Sequence, residues 1–399
     1  IGKSNQNDAE FDKLLFVRRD IRRISIPPSI TKISKNAFRE CRSIRKFEIP
    51  TNSKLQTIET NVFSKLNIKE ISIPPSVTKI CENAFNHCKD LIKVEIPTDS
   101  NLQTIEKGAF ASSCIVEIFI PPSVTKICEN TFNFCFILSK IEIPTNSKLQ
   151  TIEKDAFVYT KIKEIYFPES LIELKEGWCN GTTDLTRIVV SPSNNQFIFK
   201  EDKYLVGKSN QNEAEFDKLL FVRRDIGNFS VPQNIKIIGS YSFSESTINE
   251  VSIPQSVTEI CSKAFFNCLN LRKVEIPTNS NLKIIGKYAF SESNIKEVSI
   301  PQSVIKICER AFFYCKNLRK VEIPTNSNLQ TIEEYAFSSS FIVEIFIPPN
   351  VTKICERTFF YCHDLRKVVI PTNTNLQTIE KDAFAESKIE EISIPSNVT

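Results

Sequence analysis

An apolar-x-Ile-Pro element that returns at a nearly fixed beat restricts this chain to architectures built from stacked, equivalent coils. It closes at Ile73-Pro74, Ile96-Pro97, Ile120-Pro121 and Ile143-Pro144, in almost equal steps. The beat resumes at Ile253, Ile276, Ile300, Ile323, Ile347, Ile370 and Ile394. Two repeat types alternate, IPPSVTKICENAFNHCKDLIKVE over residues 73–95 and IPTDSNLQTIEKGAFASSCIVEIF over residues 96–119, and together they make one double unit. A segment this short cannot bury its own apolar face, whereas stacked neighbours cover each other.

The residues ahead of each proline alternate in polarity. Leu91, Val94 and Ile96 are apolar; Lys93 and Glu95 are charged. This is strand periodicity. The proline lacks an N–H for the ladder and ends the strand. Val77, Ile80, Ala84-Phe85, Cys88 and Leu91 can then all point inward if the chain makes one coil per repeat, and the Glu-Asn-Ala-Phe stretch reads as a short helical turn on the outer side. Period and pattern match a leucine-rich repeat. The expected fold is α/β: a curved right-handed solenoid with a concave parallel sheet of about 16 short strands, one per coil, and short helical turns on the convex side.

A longer echo overlies the repeats. Residues 1–21 (IGKSNQNDAEFDKLLFVRRDI) return almost unchanged as residues 206–226. The second copy follows the alternating stretch from Phe197 to Leu205, which suggests a β-hairpin. The expected organisation is therefore residues 1–25 as the remnant of a non-repeat hairpin, 26–196 as repeat block one, 197–230 as an inserted hairpin and 231–399 as block two. Gly177-Trp178-Cys179 replaces the Ala-Phe turn and reads as an irregular last repeat of block one. The chain contains no Met. It reads as a piece of a longer protein cut in mid-hairpin.

The string I-x-I-P…V-x-x-I-x-x-x-A-F-x-x-C-x-x-L resembles the BspA-like leucine-rich repeats of microbial and protist cell-surface proteins. The resemblance covers nearly the whole chain. That family usually has Gly where this chain has Cys81, Cys128, Cys261, Cys308 and Cys355, while Gly239 and Gly286 keep the family pattern. The resemblance implies display on a cell surface or secretion, adhesion to host cells or matrix proteins, and immune recognition.

Equivalent residues of parallel strands stack into columns. One column runs Lys46, Glu70, Lys93, Glu117, Lys140, Glu164, Arg187, and resumes as Glu250, Lys273, Glu297, Lys320, Glu344, Lys367, Glu391. Its sign alternates at every rung, which avoids like-charge stacking and helps fix register; exposed pairs add little to stability. The column two residues on is mostly Glu or Ser, but Phe119, Tyr166 and Phe346 interrupt it, with Val116 and Val343 nearby in place of Lys or Arg. These five residues are the candidate ligand contacts, since exposed aromatics on a polar sheet suit a protein interface. An isolated exposed aromatic also needs no special role.

Among the 13 cysteines, five pairs share a spacing of seven: Cys81/Cys88, Cys128/Cys135, Cys261/Cys268, Cys308/Cys315 and Cys355/Cys362, leaving Cys41, Cys114 and Cys179. Two readings stay open. Buried thiols can fill small interior slots, or each double unit can carry one disulfide in an oxidising compartment; the odd count favours thiols. No C-x-x-C or H-x-x-x-H occurs, and His87 and His363 sit at different offsets from Cys88 and Cys362, so no metal or cofactor is expected. With two His, no G-x-S-x-G and no phosphate loop, no catalytic residues are assigned and no enzyme is expected.

Lys+Arg total 51 against Asp+Glu 47, a balance that argues against nucleic acid as partner. No apolar run reaches the roughly 18 residues of a membrane helix. Asn180, Asn228, Asn350 and Asn397 head N-glycosylation sequons, which permit secretion. The expected function is non-catalytic recognition of protein ligands, among them host-cell or matrix proteins, at the cell surface. The alternative is an intracellular interaction scaffold, in which the thiols stay reduced.

Overall fold

Proline and the outer turn divide every coil into straight stretches that bond to their neighbours. The computed structural model describes residues 13–14, 21–210, 214–396 and 398. Most of the segment 1–25 and the sequon residue Asn397 lie outside the described residues. The chain divides into two units, Ile1–Phe197 and Ile198–Thr399.

Each unit is a parallel β-solenoid. Its three-residue strands, such as Glu70–Ser72, Lys93–Glu95, Glu117–Phe119 and Lys140–Glu142, pair in register. Eight strands of this row are described in each unit, a few of them two or four residues long. The strands end where expected: Ser72 is followed by Ile73-Pro74, and the Val77 N–H donates to the Pro74 carbonyl to turn the corner. The expectation of one strand per coil is incomplete. A second, two-residue strand, such as Lys79–Ile80 or Lys126–Ile127, forms a separate parallel sheet of eight strands in unit 1. In the corresponding ten-stranded sheet, Phe197–Lys200, Tyr204–Gly207 and Lys218–Val222 join the edge. Tyr204–Gly207 and Lys218–Val222 are antiparallel, and Lys218–Val222 then runs parallel to Ile237–Ile238.

The short helical turns are absent: no helix occurs among the described residues. The reason lies in where the N–H groups go. Those of Ala84, Asn86 and Cys88 return three residues, to Cys81, Asn83 and Phe85. Those of Asn83, Phe85 and His87 cross to the next coil, to the carbonyls of Lys107, Ala109 and Ala111. A helix would direct all of them along its own axis. Asn83 (φ 55) and His87 (φ 56) are left-handed, and the same two positions, four residues apart, are left-handed in coil after coil. The outer wall is thus a third set of inter-coil bonds, which a lone-coil reading of Glu-Asn-Ala-Phe does not show.

Inside, like stacks on like. Val77, Ile80, Ala84, Phe85, Cys88, Leu91, Val94 and Ile96 are all buried. Phe85, Phe110, Phe132 and Phe157 lie face to face at centroid spacings of 5.1, 5.7 and 5.4 Å. Phe265, Phe290, Phe312, Phe337 and Phe359 repeat the stack in unit 2 at 4.9, 5.3, 5.1 and 5.5 Å. Trp178 ends the first stack edge-on, 6.4 Å from Phe157. Gly286 sits where a Cβ would come within 2.7 Å of the Ile260 carbonyl oxygen, so the coil passes its neighbour more closely there than a side chain allows.

Among the described residues, no cysteine is joined to another by a disulfide. Cys88, Cys135, Cys268, Cys315 and Cys362 each donate to the carbonyl of the preceding coil's core Phe at 3.0–3.2 Å. The serine of the alternating repeat sits beside the thiol, as in Ser113–Cys135 and Ser340–Cys362, both at 3.5 Å. Burial pushes Cys88, Cys135 and Cys315 up to about 12. Cys81 and its equivalents lie on a different wall, and burial raises Cys81 and Cys308 to about 11.

Candidate functional site

The strand pleat decides which side chains reach solvent. In Glu117-Ile118-Phe119 the central Ile is buried, Glu117 is exposed and Phe119 is half-buried; Glu344-Ile345-Phe346 has the same pattern. Phe119 lies beside Glu142 on the next strand, and Phe346 beside Val369.

The sign-alternating column forms in register, with Glu70 opposite Lys93, Glu117 opposite Lys140 and Lys320 opposite Glu344. The ion pairs run mainly along the strand rather than across it. Lys46 reaches Glu48 at 2.5 Å, Lys93 reaches Glu95 at 2.6 Å, Lys273 reaches Glu275 at 2.5 Å, and Lys320 pairs with Glu322. Where the second position is Val, the partner moves across the rungs: Arg187 turns to Glu164 at 3.2 Å, and Lys367 lies between Glu344 and Glu391 at 3.8 and 3.7 Å. Ser299 adds a bond to Glu322 at 2.7 Å. The hydrogen bond from Lys93 and that from Ser72 hold the Glu95 carboxyl below the usual range; Lys320 and Ser299 do the same for Glu322.

This face is indented in each unit, and two of the grooves contain an aromatic side chain; a further groove in unit 2, about 660 Å³ over Ile253, Pro254, Ile276 and Pro277, has Ser299 among its lining residues and no Phe. The groove in unit 1, about 570 Å³, has a floor of Ile73, Pro74, Ile96 and Pro97, with Phe119 at one side and Lys93, Glu95 and Glu117 on its rim. The Phe-lined groove in unit 2, about 610 Å³, has Ile300, Pro301, Ile323 and Pro324 with Phe346, Lys320, Glu322 and Glu344. Of the five predicted contacts, Phe119 and Phe346 therefore line equivalent grooves. Val116 and Val343 stand exposed just ahead of those strands and line neither groove. Tyr166 lies in the strand Glu164–Phe167, half-buried beside Val189, also outside both.

Two outer-wall features escaped the sequence reading. In unit 2 the first left-handed position of successive coils carries Tyr241, Lys263, Tyr288, Arg310, Tyr335 and Arg357. Lys263 lies 5.2 Å from the Tyr241 ring and 5.6 Å from that of Tyr288. Arg310 lies over Tyr335 at 4.5 Å and donates to the Tyr288 hydroxyl at 2.9 Å, and Arg357 donates to the Tyr335 hydroxyl at 2.6 Å. Unit 1 has instead an exposed aromatic cluster, in which Phe134 stacks on Tyr159 at 5.4 Å and touches Phe136 at 5.6 Å. Reading the outer turn by columns, as the strand was read, would have shown both.

Among the described residues, no cluster of three or more His, Cys, Asp or Glu is placed to hold a metal, and no helix is long and apolar enough to cross a membrane.

The repeat profile of the family described as "BspA type Leucine rich repeat region (6 copies)" matches residues 9–137, 94–201, 215–291 and 283–399. The chain belongs to the BspA-type leucine-rich-repeat family. No curated protein matches it. Among solved structures, this BspA-type chain is similar to a leucine rich cell surface protein from Faecalibacterium prausnitzii, with 22% identity and a TM-score of 0.62 over 91% of this chain and 85% of that one. It is also similar to the pneumococcal vaccine antigen PcpA, with 20% identity and a TM-score of 0.61 over 95% and 83%. A leucine-rich repeat protein from Eubacterium ventriosum is 19% identical, with a TM-score of 0.59 over 94% and 92%. At these identities the likeness concerns the fold.

Proposed function

We propose that this BspA-type chain is a non-catalytic recognition module that binds protein ligands, host-cell or matrix proteins among them, at a cell surface. The observation that carries the proposal is the pair of equivalent grooves, each with an apolar floor, a half-buried Phe and a charged rim on a face whose neighbouring side chains are solvated. Phe119 and Phe346 are the anchors; Val116, Val343 and Tyr166 extend the contact on the same face. The family and the printed descriptions of two similar structures, a cell surface protein and a vaccine antigen, support the location.

An intracellular scaffold is the second reading. It draws on the thiols, which donate to carbonyls and are not joined to one another.

Labelling intact source cells with a membrane-impermeant reagent separates the two. Labelling of the protein is expected, and none would leave the scaffold. In parallel, beads coated with the protein are expected to adhere to plates coated with host-cell matrix. Adhesion is expected to fall in Phe119→Ser and Phe346→Ser at unchanged melting temperature, and undiminished adhesion would reject the strand face as the contact.

A further inference from the structure

We propose that the chain carries one peptide-binding site twice, once in each unit, and that each copy takes an extended segment in which apolar residues alternate with Lys or Arg. This rests on the strand-face reading above and adds to it a stoichiometry and a ligand chemistry.

The two units align when Phe119 is laid on Phe346 and the chains are followed outward without a gap. In that alignment every residue lining the Phe346 groove of unit 2 falls on a residue lining the groove of unit 1. All of these pairs are identical except Pro75 against Gln302 and Asp99 against Asn326. Common descent of the two blocks does not by itself give this result, because the outer wall has diverged in the same alignment: Asn61, Asn83 and Gly108 stand against Tyr288, Arg310 and Tyr335. The groove lining and the core beneath it are retained, as is the stretch Ser100–Glu106 against Ser327–Glu333, while the outer wall varies.

The lining selects the ligand. The floor is Ile and Pro with one Phe, a surface that gains by covering apolar side chains. The strand backbones are already bonded to their neighbours, so the groove recognises side chains rather than adding a strand. The rim of unit 1 has Glu95, Asp99, Glu117 and Glu142 against Lys93 and Lys140, an excess of two carboxylates. That of unit 2 has Glu322 and Glu344 against Lys320, an excess of one. An extended peptide turns every second side chain to one side. Apolar side chains then lie on the floor, while Lys or Arg, on long flexible stems, reach back to the rim carboxylates. Because the rim is open to solvent, added salt weakens both sites, and the site of unit 1 more steeply.

The test uses the intact chain and a short synthetic peptide in which Val alternates with Lys, compared with its Val/Glu counterpart, by titration calorimetry. The Lys peptide is expected to bind at two sites per chain. Phe119→Ser and Phe346→Ser are each expected to leave one site, and the double variant none, with circular dichroism and melting temperature unchanged. The site remaining in Phe346→Ser is expected to lose more affinity between low and high salt than the site remaining in Phe119→Ser. Equal affinity for the Glu peptide, no binding of the Lys peptide, or two sites persisting in a single variant would overturn the inference. If the Phe variants lose matrix adhesion while the Lys peptide does not bind, the strand-face function stands and only this ligand assignment falls.

Discussion

Replacing Phe312 by Ala removes a ring that is fully buried between two others. Its centroid lies 5.3 Å from that of Phe290 and 5.1 Å from that of Phe337, with the planes within 4° and 1° of parallel. The backbone around it cannot collapse into the space. The Phe312 N–H is bonded to the Ala336 carbonyl, and the Phe290 N–H to the Ala311 carbonyl, so the coil is held on both sides. A truncation of this kind costs about 3–5 kcal/mol. Phe312→Leu keeps much of the apolar volume but forfeits both ring contacts, each worth ~0.5–1.5 kcal/mol, so its expected cost is roughly 1–3 kcal/mol. Denaturant unfolding gives both numbers, provided the slope with denaturant is unchanged. Because a coil touches only its neighbours, lost protection in hydrogen exchange should centre on the coils of Phe290 and Phe337 and fade along unit 2. A cost below about 1 kcal/mol for the Ala variant, or equal loss of protection at distant coils of unit 2, would refute the stacked-coil account.

Other perturbations test other parts of the molecule. Gly181→Ala places a Cβ 2.4 Å from the Tyr159 ring at a left-handed position (φ +67), so the ring must move, and a loss of about 1–2 kcal/mol is expected in thermal unfolding; a neutral result would show that the ring is not held there. Cys88, Cys135 and Cys315 are buried and pushed up to about 12, so a thiol reagent at pH 8 should leave them untouched until the protein unfolds; rapid modification of the native protein, or a lower melting temperature in reductant, would contradict the free-thiol interior. Burial alone would raise the Asp217 carboxyl, but the Ser209 N–H and hydroxyl, both at 2.9 Å, and the Lys236 ammonium at 3.4 Å outweigh it and hold it low. Its contribution is therefore present above the ordinary carboxylate range, about pH 4, and is lost as pH falls through the depressed value. The protection factor of the Ser209 amide, its exchange relative to the unfolded chain at the same pH, should fall in acid, and Asp217→Asn should abolish that fall; an unchanged protection profile in the variant would remove Asp217 as the clamp.

The period, the place of the strand ahead of each proline and the inward set Val77, Ile80, Ala84-Phe85, Cys88 and Leu91 were readable from sequence, because each follows from proline and polarity within one repeat; the second strand row, such as Lys79–Ile80, was not. The sign order of the Lys93–Glu117–Lys140 column was readable too, since register follows from equal spacing. The direction of its ion pairs was not. Whether Lys367 turns to Glu344 and Glu391 while Lys93 turns to Glu95 depends on what stands two residues along, Val369 or Glu95 itself, and on which carboxylate a side chain reaches in space. The outer turn was misread for a related reason. Glu82-Asn83-Ala84-Phe85 has helix-compatible residues, but alternate N–H groups find acceptors a full coil further along the chain, at Lys107 and Ala109.

Sequence alone thus determined the coil, its core and its pairing partners, because these are set by the order of apolar, polar and proline residues along a single repeat. Only the tertiary structure decided the left-handed outer wall, the ring and hydroxyl contacts that Lys263, Arg310 and Arg357 make on it, and the grooves that Phe119 and Phe346 line. Each of these is made of side chains or amides from several coils, and stacking alone brings them within a few ångströms of one another.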